Sequence, residues 1–432
     1  MNPVELLRTL VRLNTSNPPG EEMDLLRLLS TLLDERGIDH ALQLSDTNRG
    51  NLLAFLPAAQ PQGGRPIVLL SHVDVVGADE REWTHPPFAA EMHDGFLYGR
   101  GTVDTKQLTV MELAAFFDLQ NEPLRHRDVY LLATCDEESG SRLGMRYVLE
   151  HPFTLKDRTV DAAALFTGSD VISEGGGFPI LVGDTTFYLC EIGQKSCGSV
   201  RFLVKDRVSK NPFMPTGDGV ARAMGLVQAL AAAELPCAPL PSVLRFEQAL
   251  REATGGGEDW EQQLSSGMRG ILSAMRRNTL TPTIVKGRGT ALVEVICDVR
   301  LLPGYPREAL ERLLDKLAKE WDCDCTIDAL SDGYESEIGP LAQTLEEATL
   351  AQLGRHDGSV RMLPFISMGS SDGHYLAPLR ANVYGYSPVL SWDMTFDTAV
   401  RMVHGVDERI HEQSLSFGCK VLSTALRAAC AK

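Results

Sequence analysis

Histidines and carboxylates gather at the ends of this chain's short apolar runs, a pattern suited to holding cations. His72 and Asp74 stand in SHVDVV directly after the strand-like PIVLL, and period-two alternation aims both side chains to one side. Asp104 follows in GRGTVDTK, where two glycines permit close approach of the backbone and a helix begins just beyond. Asp136, Glu137 and Glu138 lie together in TCDEES at the end of VYLLAT. Three adjacent acids at a strand end repel one another unless cations neutralise them. Glu174 precedes three glycines in SEGGG, and His404 sits in HGVDERI. Singly, each has a duller explanation: a carboxylate beside a turn caps it or faces solvent, and a histidine is often hydrogen-bonded in the core. Jointly they sit where open α/β sheets place their ligands.

The elements that must position them alternate. Val4, Leu6, Leu7, Leu10, Val11 and Leu13 recur at helical spacing until Asn17, Pro18, Pro19 and Gly20 stop the helix. A second amphipathic helix is expected over about Glu22 to Arg36. NLLAFLP, PIVLLSHVDVV and VYLLATCDE read as strands, and TKQLTVMELAAFFDLQ between the last two reads as a helix with a continuous apolar face. This order predicts an α/β domain whose sheet carries helices on both faces. The character changes near Glu191: CGSVRFLVKD and ALVEVICDVRLLPG are strand-like, with the Ala- and Leu-rich helix GDGVARAMGLVQALAAAEL between them. After Pro303 the helix REALERLLDKLAKEW leads to the strand-like CDCTIDAL. The economical division is a catalytic domain from residues 1–191 and 306–432, interrupted by a smaller α+β domain at 192–305.

Composition bounds the function. With 432 residues, 44% hydrophobic and 23% charged, the chain is long enough for two domains and has the make-up of a folded protein. A net charge of −17 disfavours nucleic acid and anionic membranes as partners, because phosphates would be repelled. No apolar run has the length of a spanning helix, and the first residues lack the features of a signal peptide, so a cytoplasmic location is expected. Nine cysteines, an odd number, fit reduced thiols, and Cys323 with Cys325 makes a poor metal site. His85, His93 and His126 have no partners that spacing identifies and are taken as structural or surface residues.

SHVDVV, EWTHPPFAAEMHDGFLYGRGTVDTK, TCDEESGSRLGM, SEGGG, DVRLLPG and HGVDERI, in that order, resemble the motifs of a co-catalytic metallopeptidase family. It includes aminoacylase, acetylornithine deacetylase, succinyl-diaminopimelate desuccinylase, glutamate carboxypeptidase and carnosine-type dipeptidases. The resemblance implies a zinc-peptidase-like catalytic domain with an inserted ferredoxin-like lid or dimerisation domain, and a homodimer. It implies two divalent ions, zinc first, with cobalt or manganese as alternatives: His72 and Glu174 on one, Glu138 and His404 on the other, Asp104 bridging. Glu137 matches the general base and Asp74 the carboxylate that orients the ligand histidine. Such an ion pair acidifies a bridging water and polarises the substrate carbonyl, and a carboxylate beside it passes the proton to the leaving amine. The implied reaction is hydrolysis of an amide in a small N-acyl amino acid or short peptide.

Departures fall on the substrate side. Asn211 in SKNPFMPTGD stands where relatives carry a histidine that reaches the partner's site, and a substrate-contacting asparagine before DVRLLPG is missing or displaced. His374 in SSDGHYLAP stands where relatives have an arginine for the substrate carboxylate, with Arg288 or Arg380 as substitutes. Gln107 replaces a common glycine and is expected to crowd the pocket. These changes keep two other readings open: hydrolysis of another carbon–nitrogen bond, including deamination of an unusual small acid, and a catalytically silent metal-binding module. Retention of Glu137 speaks for catalysis.

Overall fold

The computed structural model describes residues 2–207, 217–287 and 292–431. Among these, ten strands form one mixed sheet, ordered Asp39–Asp46, Arg49–Leu56, Val129–Thr134, Ile67–His72, Asp170–Ser173, Asn382–Gly385, Thr185–Gln194 and Pro179–Val182, with Val360–Ser367 and Tyr334–Glu335 also on Thr185–Gln194. The strands Val129–Thr134, Ile67–His72, Asp170–Ser173 and Asn382–Gly385 run parallel to their neighbours in this group.

Near-continuous apolar runs form these central strands because both faces are covered. Ile67, Leu69, Leu131 and Ala133 face one core cluster, and Val68, Leu70, Tyr130 and Leu132 face the other. Helices Pro3–Arg12, Lys106–Leu119 and Glu412–Cys430 fill the first layer. Lys106–Leu119 is buried nearly all round, which explains why its apolar character is continuous rather than confined to a stripe. The short helices Met145–Glu150 and Ala162–Phe166 cover the second face.

A second, antiparallel sheet is ordered Thr279–Gly287, Leu292–Leu301, Ser196–Lys205 and Asp324–Leu330. Helices Gly219–Ala231 and Arg307–Glu320 pack on it around Phe202, Val295 and Leu314. In chain order this is β-α-β-β-α-β, the ferredoxin-like arrangement. Arg307–Glu320 and Asp324–Leu330 belong to the small sheet, whereas helices Pro241–Ala253 and Ser266–Met275 bury Phe246, Leu250, Leu272 and Met275 in the large sheet's core. No described helix is long and apolar enough to cross a membrane.

Candidate metal centre

Parallel strands bring their C-terminal ends to one edge, and that edge carries the candidate ligands. His72 closes Ile67–His72, the turn Glu137–Ser139 follows Val129–Thr134, and Glu174 follows Asp170–Ser173. After Glu174 the backbone at Gly175 takes φ of 105°, and a side chain there would collide with the Glu191 carboxylate. Asp104 sits just ahead of helix Lys106–Leu119. Its loop is shaped from the far end of the chain: the buried Glu408 carboxylate accepts the amides of Gly101 (3.0 Å), Val103 (2.5 Å) and Asp104 (3.0 Å) and pairs with Arg100 at 2.7 Å. His404, four residues before Glu408, therefore arrives beside Asp104.

The two oxygens of Asp104 face different imidazoles. Oδ1 lies 3.2 Å from His72 Nε2 and Oδ2 lies 3.2 Å from His404 Nε2. His72 Nε2 is also 3.7 Å from Glu174 Oε2, and His404 Nε2 is 3.1 Å from Glu138 Oε2. The set therefore falls into two N,O groups sharing one carboxylate. Electrostatics strain against an all-protein site. Burial, then Glu174, pushes the Glu137 carboxyl well above its usual range, and burial raises Glu174. Asp104 is held low despite burial by its hydrogen bonds to His404 and His72, while hydrogen bonds to Asp104 and Glu138 lift His404 to about 10. Glu138 Oε1 is buried with no hydrogen-bond partner among the described residues. An orphaned carboxylate oxygen, crowded acids and two convergent imidazoles fit a pair of divalent ions.

Asp74 lies against the other ring nitrogen of His72. His72 Nδ1 meets its backbone carbonyl at 2.9 Å, and the carboxylate is 3.6 Å from that nitrogen. The carboxylate accepts the amides of Glu137 (3.1 Å) and Glu138 (3.2 Å) and the Asn17 side chain (2.8 Å). It fixes the turn that carries Glu137 and Glu138.

A cavity of about 590 Å³ opens from this centre, with Phe178, Ile271, Phe396 and Val403 on its apolar walls. Arg300 is the one Arg or Lys lining it among the described residues. Its guanidinium is paired with Asp298 at 2.9 Å and donates to the Met368 carbonyl at 2.8 Å. His374 is not a lining residue. Its Nδ1 bonds the Ser371 carbonyl at 2.7 Å, its ring packs on Tyr375, and burial lowers its pKa, so it stays neutral. Arg380 also lies off the cavity, and Gln107, expected to crowd it, turns back to the Val103 carbonyl at 2.6 Å. Asn211 and Arg288 lie outside the described residues. Sequence reasoning passed over Arg300 and Asp372 although both stood in recognised motifs. The buried Asp372 carboxylate accepts from Thr134 Oγ1 at 2.8 Å and from Ser141 Oγ, and burial raises it to about 6.

The profile of the family described as peptidase family M20/M25/M40 matches residues 68–428. Over 152 residues the chain is 39% identical to succinyl-diaminopimelate desuccinylase 2 of Ruegeria sp., covering 35% of this chain and 37% of that one. It spans about a third of the length of the curated relatives it matches. Among solved structures, an M20 family metallo-carboxypeptidase from Sulfolobus solfataricus aligns over 99% of both chains with a TM-score of 0.72 at 16% identity. Human carnosine dipeptidase 1 aligns over 99% of this chain and 96% of its own, with a TM-score of 0.67 at 14% identity. At such identities the likeness is one of fold.

Proposed function

The chain belongs to peptidase family M20/M25/M40, and from that premise we propose that it is a two-metal hydrolase that cleaves an amide bond in a small N-acyl amino acid or short peptide. The observation that carries the reading is Asp104, whose two oxygens each face a different imidazole at 3.2 Å beside the cavity. His72 and Glu174 would hold one ion, Glu138 and His404 the other, and Asp104 both. Zinc suits this nitrogen and oxygen set, with cobalt or manganese as alternatives. When bound, the pair supplies Lewis acidity towards the carbonyl and a more acidic attacking water.

The chain's own groups do the rest. Glu137 takes the proton of the water as its oxygen bonds to the carbonyl carbon. When the carbon–nitrogen bond breaks, Glu137 returns that proton to the departing nitrogen. Arg300 takes the anchoring role expected of His374, pairing with a substrate carboxylate, while the apolar wall receives an acyl group or side chain. A homodimer belongs to the same proposal, supported by exposed Ile284 and Val285 on the edge strand of the small sheet and by Val220 and Met224 on its helix. So does a cytoplasmic location, supported by nine free thiols.

The test is turnover of N-acetyl and N-succinyl amino acids, dipeptides and amino-substituted aromatic acids by stripped protein reloaded with zinc, cobalt or manganese. Metal-dependent release of a free amino acid is the expected result. Release of ammonia would replace the reading by deamination, and no turnover with two tightly held ions would replace it by a silent metal-binding module.

A further inference from the structure

His85, Glu91 and His93, outside the catalytic cavity, converge on one point. Glu91–His93 and Phe96–Tyr98 form a hairpin whose turn residues Asp94 and Gly95 both have positive φ, 50° and 80°. An Asp-Gly pair of this kind makes the tight turn that matches strand twist. Strand alternation then puts Glu91 and His93 on one face, opposite Tyr98 and Phe96 respectively. His85 comes to the same face from the preceding loop. Its position is set by Thr84, whose amide and hydroxyl donate to the Asp407 carboxylate at 2.8 and 2.7 Å.

Both imidazoles address a single oxygen: His85 Nδ1 and His93 Nε2 each lie 3.0 Å from Glu91 Oε2. The rings stand 4.0 Å apart between centroids, and Tyr98 backs His85 at 4.2 Å. The three donor atoms lie within 4.8 Å of one another, the span of one coordination sphere. Side-chain exposures of 19%, 41% and 48% leave room for an ion to enter and keep a water.

We infer that His85, Glu91 and His93 form a third metal site, separate from the catalytic pair, for a single borderline divalent ion of the zinc class. Two imidazole nitrogens and one carboxylate oxygen select zinc, cobalt or nickel over calcium or magnesium, with water as the fourth ligand. Binding requires the lone pairs of His85 Nδ1 and His93 Nε2, so each ring carries its proton on the other nitrogen and any proton held on the coordinating atom is released to solvent. An ion here ties the hairpin to the Thr84–His85 loop. Through Asp407 it also reaches the turn that presents His404, three residues away.

The experiment is zinc titration of the full chain, already loaded at its tight sites, with bound metal counted after buffer exchange into a weak competing chelator. Wild type is expected to hold one equivalent more than His85→Gln/His93→Gln, whatever the count at the catalytic centre. Because outer-shell partners alone change affinity about 10–100-fold, loss of one direct ligand in His93→Gln should weaken the extra site at least about a hundredfold. Cobalt at that site should add a visible absorption that the double variant lacks. Equal counts in wild type and double variant, or an unchanged affinity in His93→Gln, would overturn the inference.

Discussion

Asp74 shows how one buried carboxylate can serve base and ligand together. It gathers the amides of Glu137 and Glu138 and the Asn17 amide, while its own backbone carbonyl meets His72 Nδ1 at 2.9 Å and its carboxylate lies 3.6 Å from the same nitrogen. In Asp74→Asn one oxygen becomes a donor facing an amide N–H, so both kcat and metal affinity should fall about 10–100-fold. An unchanged metal affinity would break the link between Asp74 and Glu138. Glu137→Gln differs in kind: kcat should drop about 10²–10⁴-fold while bound metal stays at wild-type stoichiometry, so full activity in that variant removes the base. For Arg300→Met, loss of a charged hydrogen bond of about 1.5–3 kcal/mol predicts a KM rise of roughly ten- to hundredfold for substrates bearing a carboxylate, with neutral analogues little affected. A uniform effect on both would remove the anchoring role. The five positions proposed to hold the ions stood out in the sequence because strand ends and local motifs carry them. The proposed anchor did not, because Arg300 reaches the cavity from another sheet, and spacing around His374 does not reveal that its ring turns to Ser371.

At the scale of elements, alternation and length were enough to identify the central strands and the buried helix Lys106–Leu119. Partners were harder to assign. An apolar stripe says that Ser266–Met275 must bury one face, yet the same stripe would satisfy either core, and only the fold places Leu272 against the large sheet. The junction between the sheets carries its own titratable group. Lys195 is 1% exposed between Thr185–Gln194 and Ser196–Lys205, donates to the Arg277 carbonyl at 2.6 Å, and is pushed down to about 8 by burial, with Arg277 and Arg300 adding repulsion. A depressed lysine means that the unfolded chain binds the extra proton between about 8 and its ordinary 10.5. Stability should therefore rise with pH across that window, with Lys195 contributing at most about 1.4 kcal/mol per pH unit. Denaturant unfolding of wild type and Lys195→Met from pH 7.5 to 10.5 checks this by comparing slopes. Parallel curves would mean that the junction does not feel this proton.

Across the whole molecule, the centre joins distant parts of the chain. His404 and Glu408 come from its last thirty residues, His72 and Asp104 from its first quarter, and the Glu408 carboxylate binds the loop before Asp104. Ions at this junction would bridge the two parts while neutralising acids in a protein of net charge −17. Without them, Glu137 and Glu174 are raised and Asp372 sits at about 6, so folding the metal-free chain favours protonated carboxyls. The sign follows: a carboxyl raised in the folded state contributes stability at low pH that is lost as pH climbs through its folded value. The metal-free protein should thus weaken as pH rises through about 6, the folded value of Asp372. The loaded protein gains about 4 kcal/mol per ion at a thousandfold excess over Kd, and it gains more at the alkaline end because deprotonated ligands bind better. The Tm difference between loaded and chelator-treated protein should therefore widen as pH rises from 5 to 8. A difference that stays constant would mean that the crowded carboxylates are neutralised by something other than the ions, and no difference at all would mean that the two parts of the chain hold together without them.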